Sequence, residues 1–132
     1  MLMLDRKIVL TVDDNKAHCY AVCRGLELHG FRTLQAHSGS DTLRVVAEQH
    51  PSAVVLDVNL PDFDGYEVCR RLKANAETRA IPVVFLSATY QSNQARERGM
   101  EAGADAFLFA PVEPAQLAMV VNGSLQRATN GH

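Results

Sequence analysis

A chain of 132 residues with 47% hydrophobic and 21% charged residues has the balance of one folded domain and not of a disordered segment. Lys and Arg number 13 against 15 Asp and Glu, and the net charge of −2 argues against a general nucleic-acid or anionic-membrane surface. No apolar run approaches the roughly 18 residues of a membrane span. The apolar stretch after Arg6 and Lys7 stops at Asp13 and Asp14, too soon for a signal peptide. Cys19, Cys23 and Cys69 are odd in number and lack zinc-type spacing, so free thiols in a reducing cytoplasm are expected.

Along the chain, short apolar runs rich in strand formers alternate with stretches of helical spacing. The strands are expected at Ile8–Val12, Thr33–Ala36, Ala53–Leu56, Val83–Leu86 and Phe107–Phe109. Residues 15–29 form the first helix, with Val22 and Leu26 on its apolar stripe together with either His29 or Cys19. Residues 40–49 follow with Leu43, Val46 and Ala47, and residues 65–74 with Val68, Cys69 and Leu72. Residues 91–102 are the least apolar helix, with Ala95, Gly99 and Met100 as inward positions. Residues 114–127 close the domain with Leu117, Val120, Val121 and Leu125. Gly30 and Gly103 stand where helix C-caps belong, and the five prolines fall between elements. Phe107 and Phe109 are expected on opposite faces of the last strand.

The runs at 8–12, 53–56 and 83–86 are continuous, as in strands buried on both faces. Five β–α units in strict alternation imply one parallel sheet between two helical layers. Residues 1–132 therefore form a single domain with its core in 6–127, and 128–132 reads as a tail or the start of a linker.

In an open α/β sheet, ligands bind beyond the carboxyl ends of the strands. Asp13 and Asp14 follow the first strand, Asp57 the third and Ser87 the fourth. Three converging carboxylates repel one another unless a cation compensates. An all-oxygen set with room for water suits Mg²⁺. A carboxylate beside such an ion is a competent nucleophile toward phosphorus. Cys19 and Cys23, one turn apart, read as helix filler, and His18, His29, His37 and His50 share no ligand spacing.

Val12-Asp13-Asp14-Asn15, the run Val55 to Gly65, Leu86-Ser87-Ala88 and Ala102 to Leu108 together resemble the receiver domain of bacterial two-component response regulators. The resemblance spans residues 6–127. It implies a flavodoxin-like (βα)₅ sandwich with parallel strand order 2-1-3-4-5. It further implies Asp57 as phosphoacceptor and Mg²⁺ held by Asp14 directly, by Asp13 more through water, by Asp57 and by the backbone carbonyl of Asn59. Ser87 then contacts the phosphoryl group, and Phe107 occupies the aromatic switch position. The implied partners are a histidine kinase or phosphotransfer protein, an output domain in a longer chain, and a second copy in a homodimer. Neither nucleic acid nor membrane is bound directly, and the setting is the cytoplasm. Such a domain is a regulatory phosphoacceptor and not an enzyme, with at most weak self-phosphorylation from small phosphodonors and autodephosphorylation.

One departure stands out. The family pattern ends the fifth strand with Lys-Pro, and this chain has Ala110-Pro111, whose peptide the resemblance implies is cis. A charge-assisted contact worth roughly 1.5–3 kcal/mol is thereby lost. The chain has only Lys7, Lys16 and Lys73, of which Lys16 alone follows the acidic pair. The alternative is a degenerate receiver that acts by protein–protein contact without phosphate. A dehalogenase-type enzyme would need an acid two residues after the nucleophile, where Asn59 cannot donate a proton. A flavin site lacks its phosphate loop.

Overall fold

The computed structural model describes residues 6–130; Met1–Asp5 and Gly131–His132, the outermost residues of the expected domain and tail, lie outside the described residues. Five strands alternate with five helices: β1 Ile8–Val12, α1 Lys16–Glu27, β2 Arg32–Ala36, α2 Gly39–Gln49, β3 Ala53–Leu56, α3 Gly65–Ala74, β4 Val83–Ser87, α4 Asn93–Glu101, β5 Ala106–Phe109 and α5 Pro114–Asn130. The strands pair in parallel in the order β2-β1-β3-β4-β5. The architecture is the flavodoxin-like sandwich that the resemblance implied.

The sheet separates two apolar cores. Leu10, Val12, Val54, Leu56, Val83, Phe85 and Phe107 point to the side of α2, α3 and α4. Val9, Ala53, Val55, Val84 and Leu86 point the other way, against Leu26 of α1 and Leu117 and Val121 of α5. The continuous apolar runs of β1, β3 and β4 follow from this: each residue finds a helix on its own face. Four helices start on a side-chain cap that satisfies an otherwise orphaned N–H. Asn15 accepts from His18 N, Ser38 from Asp41 N, Asp64 from Glu67 N and Ser92 from Ala95 N. The Asp62 carboxylate accepts from the N–H groups of Gly39 (2.7 Å) and Ser40 (2.9 Å). These bonds, with one from Phe63 N–H, tie the β3–α3 loop to the start of α2 and hold its pKa below the usual carboxylate range.

Several expectations are corrected. His29 is exposed, and α1 buries Cys19, Cys23 and Leu26. Ala47 is exposed, and α2 buries Thr42, Val45 and Val46. Met100 is 45% exposed, because Ala95 and Gly99 already bring α4 close to the sheet. Phe107 and Phe109 share one face, their rings 5.6 Å apart, as the two-residue repeat of a strand requires. Helix α5 continues through residues 128–130, where a tail or the start of a linker is expected from the sequence. The three thiols are free and buried; Cys19 Sγ donates to the Thr11 carbonyl at 3.3 Å, in keeping with a packing role.

Candidate functional site

The register brings the acidic residues together. Val12 pairs with Leu56, so Asp13 and Asp57, the next residues, emerge side by side at the carboxyl edge of the sheet. Asp57 N–H donates to the Val12 carbonyl at 3.1 Å, and Asp13 N–H to that of Ala36 at 3.1 Å, fixing both backbones. Asp13, Asp14 and Asp57 each offer a carboxylate oxygen, and these oxygens lie within 4.8 Å of one another. They sit in a cleft of about 370 Å³ whose lining also includes Asn15, His18, Asn59, Ala88 and Thr89.

The three carboxylates differ in setting. Asp14 is exposed. Asp13 is buried and both its oxygens are engaged: Oδ1 accepts from Asn15 N–H at 2.9 Å, and Oδ2 from His18 Nδ1. Asp57 Oδ1 is buried with no hydrogen-bond partner. Burial, and next the charge of Asp13, push the Asp57 pKa up to about 6; the N–H groups of Asn59 and Val58 pull it down, and Asp14 adds to the rise. A buried acceptor left unpaired beside two further carboxylates is a costly arrangement by itself and a ready-made oxygen ligand set for a hard divalent cation.

Ser87 is fully buried and is not part of the cleft lining; its Oγ accepts from Tyr90 N–H at 2.9 Å. Phe107 is buried against Phe85, with ring centroids 5.3 Å apart, and its ring closes on Gly99 of α4. At position 110 the backbone ties two loops: Ala110 N–H donates to the Ser87 carbonyl at 2.8 Å, and the Ala110 carbonyl accepts from Gln91 Nε2 at 2.6 Å. The Ala110–Pro111 peptide is cis. No Lys or Arg is among the residues lining the acidic cleft.

The sequence pattern of the response regulator receiver domain matches residues 9–122. This chain belongs to the response regulator receiver family. The receiver is 40% identical over 119 residues to the transcriptional regulatory protein PrrA of Mycobacterium tuberculosis, covering 90% of this chain and 50% of that protein. It is 36% identical over 121 residues to the response regulator MprA of Mycolicibacterium vanbaalenii, covering 92% and 51%. The chain thus spans about half the length of the curated relatives it matches. Among solved structures, the BeF3-activated DrrB receiver domain superposes with a TM-score of 0.81 at 32% identity, over 92% of this chain and 99% of that one.

Within this receiver, three residues of the cleft lining, His18, Ala88 and Thr89, and His37 on the Asp13 backbone have no role expected from the sequence. His18 lies on α1 one turn beyond Asn15 and reaches back to Asp13, while His37, after β2, donates from Nδ1 to the Asp13 carbonyl at 2.8 Å. Ala88 and Thr89, just past β4, line the cleft where Ser87 does not. Nothing in local spacing marks His37, because its meeting with Asp13 depends on the β1–β2 pairing, whereas His18 is only five residues from Asp13 and is carried back to it by the turn that Asn15 caps.

Proposed function

We propose that this chain is a phosphoacceptor receiver of a two-component system. In this reading Asp57 takes a phosphoryl group from a histidine kinase or phosphotransfer protein, and the signal leaves through the face made by α4, β5 and α5. The observation that carries it is Asp57 Oδ1, buried without a partner in a cleft shared with Asp13 and Asp14. One Asp57 carboxylate oxygen attacks phosphorus; the P–N bond of the donor phosphohistidine breaks, and its electron pair stays on the imidazole nitrogen, which takes up a proton. Asp14, Asp57 and the Asn59 carbonyl would hold Mg²⁺ directly. Asp13, whose oxygens already serve Asn15 and His18, would act through water. The bound ion supplies neutralising charge to the carboxylates and to the transferring group. At neutral pH an Asp57 with a pKa of about 6 is mostly ionised and hence nucleophilic.

Ser87 and Phe107 carry the relay. To donate to a phosphoryl oxygen, the Ser87 hydroxyl, buried outside the cleft lining, must turn toward the cleft, and the bond it accepts from Tyr90 N–H couples that turn to the β4–α4 loop that α4 follows. Phe107 packs under α4 against Gly99, so a shift of that helix is felt by its ring. A bound group shifts such an equilibrium only as far as its contacts differ between the two states. An output domain in a longer chain agrees with a relative named as a transcriptional regulatory protein. The cytoplasm, where histidine kinases present their phosphohistidine, is the proposed setting; among the described residues no helix is long and apolar enough to cross a membrane.

Ala110 supports a second reading, a degenerate receiver working by contact alone, since no Lys or Arg among the described residues lines the cleft. Mass spectrometry after acetyl phosphate and Mg²⁺ separates the two. An adduct of about 80 Da, one phosphoryl group, is expected on Asp57, forming slowly for want of the charge partner. Absence of any adduct under conditions that label an ordinary receiver selects the degenerate reading. Ala110→Lys is expected to enlarge the amide shift changes across residues 87–120 on adding beryllofluoride and Mg²⁺; equal changes in both proteins would show that Ser87 and the metal suffice.

A further inference from the structure

Beside the acidic cleft lies a second cavity of about 220 Å³, between α1 and the segment that joins β5 to α5. Val22, Leu86, Ala110, Val112 and Leu117 are among the residues that line it, and no Lys, Arg, Asp or Glu is. Along α1 its wall runs from His18 to Gly25, about 10 Å of helix. At the Gly25 end the helices meet: a Cβ there would lie 3.0 Å from Pro114 Cβ at the start of α5.

The two cavities adjoin at the other end. His18 lines both, with its Nδ1 bonded to Asp13 Oδ2. On the β4 side Leu86 lines the apolar cavity and Ala88 the cleft, two residues apart and so separated by at most about 7 Å. Ala110 N–H donates to the carbonyl of Ser87, the residue between them, which fixes the apolar wall against the strand end where the cleft opens.

The cleft is short of positive charge. Asp13, Asp14 and Asp57 together carry more negative charge than one divalent ion neutralises, and no Lys or Arg is among the lining residues. Asp57 Oδ1 is a buried acceptor that no donor reaches, and such an atom is costly until one does. What suits both halves is a monovalent N–H donor on a short apolar body. An ammonium has three donors and no acceptor, so every polar atom it brings faces a carboxylate.

We propose that this receiver binds a small primary alkylammonium across the two cavities, its ammonium on the carboxylates of the cleft and an aliphatic tail of about four to six carbons against Val22, Leu86 and Leu117. The inference rests on the reading of the cleft as a cation site and adds an organic ligand beside the metal. The tail is short because the cavity is smaller than the roughly 300–1,000 Å³ of drug-sized pockets.

The probe is n-pentylammonium chloride, titrated into the protein with and without millimolar Mg²⁺ and followed by amide shifts and thermal melts. Saturable shifts are expected at Val22, Leu86, Ala88, Ala110 and Leu117, with a Kd of about 1–10 mM, as so small a ligand allows. Binding should persist when Mg²⁺ is present. n-Pentanol, which lacks the charge, and methylammonium, which lacks the tail, should each bind about tenfold more weakly or less. Ala110→Leu and Ala21→Leu place bulk in the apolar cavity, and each should weaken pentylammonium about tenfold while keeping the Mg²⁺-dependent rise in melting midpoint. Ala21 is exposed on α1, so the second variant tests the site even where the first fails to fold. Equal binding of pentanol or methylammonium, wild-type affinity in Ala21→Leu, or loss of binding on adding Mg²⁺ overturns the inference. A Mg²⁺-dependent rise with no pentylammonium binding sinks this inference alone, whereas pentylammonium binding in a protein indifferent to Mg²⁺ sinks the metal reading alone.

Discussion

Gly65→Ala is expected to lower stability by about 2–4 kcal/mol and to remove metal binding with it. A Cβ at position 65 would lie 2.2 Å from the Asp57 carbonyl oxygen and 3.1 Å from Phe85 Cε1. The nearer obstacle is backbone, and no side-chain rotation relieves it. Helix α3 must retreat from β3, losing the bond from Gly65 N–H to the Val58 carbonyl at 2.8 Å. The strand end that would move is the one that carries Asp57, so the damage reaches the cleft. In thermal melts the midpoint should fall by roughly 10 °C, and millimolar Mg²⁺ should no longer raise it. Gly123→Ala is the control: its Cβ would meet only Arg127 Nη1, at 3.5 Å, and an alanine inside a helix is favourable by about 0.5–1 kcal/mol. Equal melting of Gly65→Ala and wild type would show that α3 yields at no cost.

Asp57→Asn should abolish the phosphoryl adduct and, without metal, make the protein more stable at pH 7.5. The sign follows from the raised pKa. Unfolded, the carboxyl ionises near 3.8; folded, burial and the Asp13 charge hold the proton until about pH 6. Between these values the folded state binds more protons than the unfolded one, so stability falls as pH rises and the deficit is complete above about pH 6. Asparagine carries no charge at any pH and escapes it. The advantage of the variant at pH 7.5 is of order 1–3 kcal/mol and should shrink toward zero near pH 4. Mg²⁺ should reverse the ranking at pH 7.5, since binding to the folded state stabilises wild type by mass action and the variant lacks a ligand. Paired denaturant titrations from pH 4 to 8 measure this. A difference that stays constant across the range, or a variant less stable than wild type at pH 7.5 without metal, would contradict the assignment of Asp57 as the strained carboxylate.

Much of the fold could be read from local pattern. The unbroken apolar runs of β1, β3 and β4 announce strands covered on both faces, and no tertiary information is needed to see it. The placement of Asp13, Asp14 and Asp57 directly after such runs is enough to suggest a shared edge, because a parallel sheet aligns the ends of its strands. Helix spacing was less decisive. In α2 the sequence admits a stripe through Ala47 as readily as one through Val45, and only the direction from which β2 and α3 approach selects the second. Phe107 and Phe109 share one face against the expectation of opposite faces, although the two-residue strand repeat alone places them together.

What the sequence by itself determined is the alternation of elements, the doubly covered sheet, the three carboxylates at its edge and the departure at Ala110, since each is a property of neighbours in the chain. Tertiary structure alone decided which atoms of the cleft are satisfied. His18 and His37 reach Asp13 from α1 and from the end of β2, leaving Asp57 Oδ1 as the unpartnered acceptor. It also decided that Ser87 turns to Tyr90 while Thr89 lines the cleft, and that His18 joins Ala110 on the adjoining apolar cavity. The His18–Asp13 and Ser87–Tyr90 bonds are local; the rest depend on strand register, on sheet twist and on how closely Gly65 and Gly99 let their helices approach, and residues far apart in the chain settle them jointly.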